Sequence, residues 1–315
     1  MNEELESDLF CVTEEEAGER LDKLLADHYR GQQSRSYFQR LIDDRHVLLN
    51  GQPVKKRIKP SAGDEVEVQF VVTEELDLLP EAIPLDILYE DDAIIVVNKA
   101  AGMVVHPAPG NWNGTFVNAL IYHCKDSDIV STRSETIRPG IVHRLDKETS
   151  GVLIAAKTMQ AQQKLVSQFA SRQVDKEYLA ICVGNPGNGE VNAPIGRHWS
   201  DRKKMTVRDD GRPAITRYRT LDAHGQLSVV ELELLTGRTH QIRVHMRYLN
   251  APVLGDKIYG NLHANKKYHA ERQLLHAYRL RLNHPISGKP MEFVAPIPHE
   301  IRAFIDKIKA KRCAS

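Results

Sequence analysis

The sequence predicts an α+β protein, with a small N-terminal helix-helix-strand module followed by a larger, mixed and largely antiparallel domain. Three observations carry this expectation. A helical apolar period gives way to an Asn-Gly hairpin signal within the first 72 residues. An acidic, Pro-containing stretch without a period follows, and beyond it short apolar or alternating runs suited to strands outnumber helical ones. At 315 residues the chain also exceeds the usual size of a single core, which favours two domains.

Leu21, Leu24, Leu25 and His28 recur at i, i+3, i+4 and i+7, so 19–30 reads as an amphipathic helix. A second helix is expected after Ser36, with Gln39 as its capping-box partner and Tyr37, Phe38, Leu41 and Ile42 as its apolar stripe. Val47–Leu49, an Asn50-Gly51 turn and a strand at Val54 read as a hairpin, because Asn and Gly tolerate the positive φ of a two-residue turn. Alternating Val66, Val68 and Phe70 close a unit over 17–72; 73–84 reads as a linker and 85–315 as the larger domain. There, Ile94–Val97 and Val152–Ala156 suit buried strands, and Val230, Leu232 and Leu234 alternate with Glu231 and Glu233. Helices are expected at 159–172, with Leu165, Val166 and Phe169 inward, and at 240–249. In the second of these Thr239 suits the N-cap and Ile242, Met246 and Leu249 form the buried stripe, which puts His240, Arg243 and Arg247 on the adjacent polar face.

The formal net charge of +1 conceals segregation. Residues 1–16 carry seven acidic side chains and no Lys or Arg, and 73–97 carry eight acidic and none basic. By contrast, 30–59 hold eight Lys or Arg against two Asp, and 197–219 hold eight against three. A polyanion meets such local clusters rather than the net charge, although a solvated face is the plainer origin of a charge run. No apolar stretch reaches the roughly 18 residues of a membrane span, and the N-terminus is acidic, so a cytoplasmic location is expected. Cys11, Cys124, Cys182 and Cys313 show no metal-ligand spacing, and no metal site is expected.

One loop stands out as a place for chemistry. Ile141-Val142-His143-Arg144-Leu145-Asp146-Lys147-Glu148-Thr149-Ser150-Gly151 sets a polar, Gly-terminated segment between two apolar runs, which holds Asp146 on a loop fixed at both ends. By pattern alone Asp146 reads first as a turn cap through Thr149 or Ser150 paired with Arg144, and Tyr178, alternating with Leu179, Ile181 and Val183, reads first as a core tyrosine.

His-Arg-Leu-Asp followed by Thr-Ser-Gly resembles the signature of the RluA-type pseudouridine synthases. Further blocks of that family recur in order: YEDDAIIVVNKAAGMVVHP (89–107), KEYLAICVG (176–184), TGRTHQIRVHM (236–246), LGDKIYG (254–260) and RQLLHAYRLRLNHP (272–285). The N-terminal unit resembles an S4 domain, an RNA-binding module, through GERLDKLLA, SRSYFQRLI and VLLNGQPVKK. The VVHPAPGN…GT…NAL stretch at 104–120 is most similar to the ribosomal large-subunit pseudouridine synthase D branch of that family, while Ala100 and Leu282 depart from the family's usual proline and aromatic.

The resemblance implies isomerisation of uridine to pseudouridine in large-subunit ribosomal RNA, free or in an assembling subunit, by a monomer without cofactor. It implies that Asp146 is the essential aspartate, as covalent nucleophile or as base, two roles the sequence leaves open. It further implies that Tyr178 stacks on the target base, that Arg243 pairs with Asp146, and that Arg144 enters the space vacated by the flipped uridine. RNA contacts are expected from His143, Arg238, His240 and Arg247, and in the N-terminal unit from Arg35, Arg40, Lys55, Lys56 and Arg57. A transfer-RNA synthase of the same family remains compatible with these residues; the competing reading from another class, a non-catalytic RNA-binding or ribosome-assembly factor, has Asp146, Tyr178 and Arg243 together against it, since a binder needs none of that trio.

Overall fold

A computed structural model of the chain describes residues 6–29, 35–55, 57–70, 79–107, 111, 113–125, 139–201 and 204–313. It shows the expected α+β architecture, in which the N-terminal unit has an apolar core of its own, separate from those of the larger domain. The N-terminal core is built from β1 (Glu6–Cys11), α1 (Leu21–His28), α2 (Arg35–Asp43), β2 (Val47–Leu49), β3 (Gln52–Pro53) and β4 (Glu65–Phe70). These strands form an antiparallel sheet in the order β1-β4-β2-β3, so a strand that precedes residue 17 joins the unit. Leu21, Leu24, Leu25, Tyr37, Phe38, Leu41 and Ile42 pack onto Val47, Val66, Val68 and Phe70, as their periods require. Asn50 and Gly51 both take positive φ and join Leu49 to Gln52 in a two-residue turn.

The start of α2 differs from expectation: the helix begins at Arg35, ahead of Ser36, whose side chain lies outside the described residues, and Gln39 Nε2 donates to Asp22 Oδ2 at 2.6 Å. Asp22 is buried and also accepts from Arg20 and Arg35, so one carboxylate ties α1 to α2.

The larger core is organised by a nine-stranded sheet whose members are β5 (Ile87–Glu90), β6 (Ile94–Lys99), β7 (Ser150–Ala156), β8 (Asp175–Val183), β9 (Asn188–Asn192), β12 (Ile215–His224), β13 (Leu227–Leu234), β14 (Leu275–Asn283) and β15 (Pro290–Val294). The order is β5-β6-β7-β14-β8-β13-β12-β9, with β15 also on β14. Among the described strands, only the β7–β14 pairing is parallel. A hairpin of β10 (Ile195–Arg197) and β11 (Met205–Val207) stands apart from this sheet. Among the described residues the helices of this domain are α3 (Phe116–His123), α4 (Met159–Ala170), α5 (Gln241–Tyr248), α6 (Leu262–Lys267) and α7 (His299–Cys313).

Both faces of the sheet are covered. Tyr178, Ala180 and Cys182 of β8 face the core that holds Leu145, Ile242 and Met246, whereas Ile181 faces the core under α7. The end of the acidic stretch is tied down: the Glu81 N–H donates to Asn118 O at 3.1 Å and Asn118 Nδ2 to Leu79 O at 2.8 Å. Among the described residues, no helix is long and apolar enough to cross a membrane, and no group of three His, Cys, Asp or Glu is placed to hold a metal ion.

Candidate active site

The loop between Ile141 and β7 is fastened from several directions. Leu145 is buried in the main core, the Thr149 N–H donates to Asp146 O at 3.0 Å, and Gln273 Nε2 donates to Thr149 Oγ1 at 2.8 Å. The Ile154 N–H donates to His143 Nε2 at 3.0 Å, and the His143 ring stacks on Phe169 with centroids 4.7 Å apart. Burial pushes the His143 pKa down to about 3, helped by the charge of Lys176, so at neutral pH the imidazole is a neutral acceptor bracing the loop. Gly151 follows with φ +115°, and a Cβ there would lie 2.2 Å from Ala277 O; this close β7–β14 approach needs glycine and fixes where the loop ends.

A second buried brace was not foreseen from the sequence. Lys99, at the end of β6, donates through Nζ to Ala100 O at 2.8 Å, Met103 O at 2.9 Å and Lys147 O at 3.2 Å, tying the turn after β6 to the residue beside Asp146. Burial pushes its pKa down to about 7 while Asp146 and Glu148 pull the other way. Its apolar surroundings, Ile94–Val97, announced a buried strand, but nothing local announced that the terminal lysine would turn inward.

Asp146 opens into a cleft of about 530 Å³ that Tyr178, Arg144, Arg238, His240 and Arg243 also line. Its side chain keeps 22% of its surface exposed, and its Oδ2 accepts from Arg243 Nη1 at 2.9 Å. Burial raises the Asp146 pKa, but the charges of His240 and Arg243, the Arg243 hydrogen bond and Arg144 together leave it below the ordinary carboxylate value. His240 is itself held below its usual pKa, chiefly by burial, so at neutral pH Arg243 carries this effect. Tyr178 is 8% exposed, and burial together with the Asp146 charge raises its hydroxyl pKa, which keeps it a phenol.

Arg243 is buried, not solvated as its polar helical face suggested. The reason is Asp256: Arg243 Nε donates to Asp256 Oδ2 at 2.7 Å and Nη2 to Oδ1 at 3.0 Å, a bidentate pair. The Ile258 and Tyr259 N–H groups also donate to Asp256 Oδ1, and the Tyr259 ring lies 4.9 Å from the guanidinium. Gly255 places this carboxylate, having φ +81° and room for no Cβ, which would lie 1.8 Å from Arg272 O.

The start of α5 also differs from expectation. His240, not Thr239, is the N-cap residue; it is left-handed at φ 56°, with no side-chain cap. Gln241 does the fastening instead: its Oε1 accepts from the Arg238 N–H at 3.0 Å and from Thr236 Oγ1 at 2.7 Å, and its Nε2 donates to Ile215 O. His240 Nδ1 lies 2.8 Å from the Tyr259 hydroxyl.

The remaining candidates are spread out. Arg144 is exposed at the rim, Arg238 donates from Nε to Pro213 O at 3.1 Å, and Arg247 is exposed on α5 outside the cleft lining. In the N-terminal unit Arg40, Lys55 and Arg57 are exposed. Arg35 is exposed and ion-paired with Asp22 at 3.0 Å, and Lys56 lies outside the described residues.

Residues 93–248 match the RNA pseudouridylate synthase family and 19–66 match the S4 domain. The chain is 43% identical over 300 residues to the RNA pseudouridine synthase YlyB of Bacillus subtilis, covering 95% of this chain and 97% of that one. It is 42% identical over 309 residues to the ribosomal large subunit pseudouridine synthase D of Xanthomonas campestris, covering 95% and 91%. Among solved structures, human RNA pseudouridylate synthase domain containing 1 superposes with a TM-score of 0.56 at 25% identity, over 73% of this chain and 96% of that one. On these grounds the chain belongs to the RNA pseudouridine synthase family and carries an N-terminal S4 domain.

Proposed function

We propose that the chain converts uridine to pseudouridine in large-subunit ribosomal RNA, the substrate named for relatives that are 41–45% identical to it, with Asp146 as the essential carboxylate. The observation that carries the chemistry is the placement of Asp146: ionised, partly open to the cleft and aimed by a buried arginine. The reaction breaks the N1–C1′ bond, turns the uracil, joins C5 to C1′, and finally moves a proton from C5 to N1. A carboxylate at this position serves either as nucleophile or as base toward the ribose. The Tyr178 ring supports the uracil while it turns, with its hydroxyl protonated. Arg144, at the rim, fills the space left in the RNA when the target nucleotide flips out. Exposed Arg40, Lys55 and Arg57, with Arg35 and Lys56, bind phosphates. The enzyme acts as a cytoplasmic monomer on free or assembling large-subunit RNA.

The test is pseudouridine-specific mapping of ribosomal and transfer RNA from cells lacking the protein, complemented with wild type or Asp146→Asn. Loss at defined large-subunit uridines, restored only by wild type, is the expected result. Loss confined to transfer RNA would reassign the substrate, and rescue by Asp146→Asn would end the catalytic role.

A further inference from the structure

We propose that Trp199, on the β10–β11 hairpin, is a stacking platform for an unpaired base of the RNA outside the catalytic cleft. The proposal rests on the reading of the substrate as RNA and adds a second point of contact. Trp199 is 69% exposed, the highest value among the exposed large apolar side chains of the described residues. Leaving so much apolar ring in water is unfavourable in the free protein, and the ring is not loosely placed. Arg208 lies over it, with Cζ 5.3 Å from the ring centroid. The guanidinium is itself held by an ion pair with Asp210 and by donation from Nη1 to Arg197 O at 2.9 Å. The His198 ring meets the indole edge-on at 5.9 Å, and His198 Nδ1 accepts the N–H of Ser200 at 3.3 Å, which fixes the turn that carries the tryptophan. The result is a pre-ordered aromatic surface that loses little freedom on stacking.

The hairpin is joined to both RNA-handling parts of the molecule. Its inner side, Ile195, Met205 and Val207, packs on Val244 of α5 and on Tyr259, and the Met205 N–H donates to the Tyr259 hydroxyl at 2.7 Å. Tyr259 is the ring beneath Arg243, so the hairpin and the Asp146 partner share one packed unit. Toward the N-terminal unit, Arg197 Nη1 donates to Ser7 Oγ of β1 at 2.7 Å. The hairpin thus touches both the S4 domain and the unit that holds Arg243. The 197–219 segment around it carries eight Lys or Arg against three Asp, a balance that suits a polyanion. An exposed aromatic beside arginines fits single-stranded nucleic acid, in which base faces and phosphates alternate.

The chain has two tryptophans, so Trp112→Phe leaves Trp199 as the reporter. This variant is titrated with an unmodified large-subunit ribosomal RNA transcript, excited on the red edge of indole absorption, with occupancy measured separately by filter binding. Trp199 emission should be quenched in step with occupancy. In the otherwise native chain Trp199→Ala should weaken binding roughly 5- to 150-fold, the range expected for losing one stacked base, while Trp199→Phe stays close to wild type. The single-turnover rate at saturating RNA should not change. Unaltered emission at full occupancy, or wild-type affinity in Trp199→Ala, overturns the platform and leaves the exposed ring to another partner such as a protein. If wild type neither binds nor modifies this transcript, the substrate reading fails instead, and the same two measurements are made with transfer RNA.

Discussion

Two carboxylates share the guanidinium of Arg243, and their surroundings differ. Asp256 is fully buried, takes both remaining arms of the fork and accepts two further backbone N–H groups. Asp146 receives a single hydrogen bond from Arg243 and keeps 22% of its surface open to the cleft. Asp256 is a saturated anion whose work is to orient the arginine, whereas Asp146 has lone pairs left for a substrate. The same contrast separates Asp146 from Asp22, which is buried among Arg20, Arg35 and Gln39. A carboxylate beside arginine is thus a poor marker of chemistry by itself. The informative features are incomplete satisfaction and an opening.

The largest expected effect separates the two aspartates. Asp146→Asn should reduce pseudouridine formation below a few per cent of wild type while leaving melting temperature and RNA affinity nearly unchanged, because shape is kept and only charge is lost. Asp256→Asn should do the reverse in kind, costing about 3–5 kcal/mol of stability by leaving a buried arginine half-paired. Tritium release from C5-labelled uridine and thermal unfolding of both variants measure the difference. Equal loss of stability in the two would erase the proposed distinction.

Next comes Arg243→Met, which removes the shared partner and should cost several orders of magnitude in rate as well as stability. Arg243→Lys is the sharper variant, since it restores charge beside Asp146 without the fork that Asp256 needs. A partly recovered rate at a still lowered melting temperature would separate the two functions of this one side chain.

The pH dependence follows from the same pairing. Asp146 has a folded pKa below its ordinary value, so the wild-type rate should stay level through neutral pH and fall only below the usual carboxylate range. The stability it contributes is present above the unfolded pKa and lost as pH falls through the folded one. In Arg243→Met burial is opposed only by the charges of His240 and Arg144, and the acidic limb of the rate profile should move toward neutral. An unmoved limb would mean that Arg243 does not set the charge of Asp146.

The smallest effect on chemistry is expected from the other end of the chain. Removing residues 1–76 takes away Arg35, Arg40, Lys55, Lys56 and Arg57 but none of the cleft, so the single-turnover rate at saturating RNA should survive. Affinity should fall and its dependence on salt should flatten, by a log–log slope of roughly 0.7 per lost phosphate contact on single strands. An unchanged slope would show that the basic residues of the S4 domain do not engage phosphates.

Much of this molecule is set by local sequence. The Asn50-Gly51 turn, the apolar stripes of α1 and α2, the alternation in β13 and the polar loop around Asp146 follow from side-chain period and backbone preference, which act over a few residues. The ordered motifs carried the family for the same reason, since they lie in the line of the chain. What local pattern could not supply was the inward turn of Lys99, the bond from Gln39 to Asp22 and the left-handed start of α5 at His240, fastened by Gln241 instead of a cap. The burial of Arg243 belongs with them. Its two partners lie 97 and 13 residues away, and its face of α5 is polar in sequence. Only the tertiary fold, which pairs Gly151 of β7 with Ala277 of β14 and packs the Gly255 turn against Arg272, puts both carboxylates on one guanidinium, because a charge is stable in the interior only where the fold delivers its counter-charge.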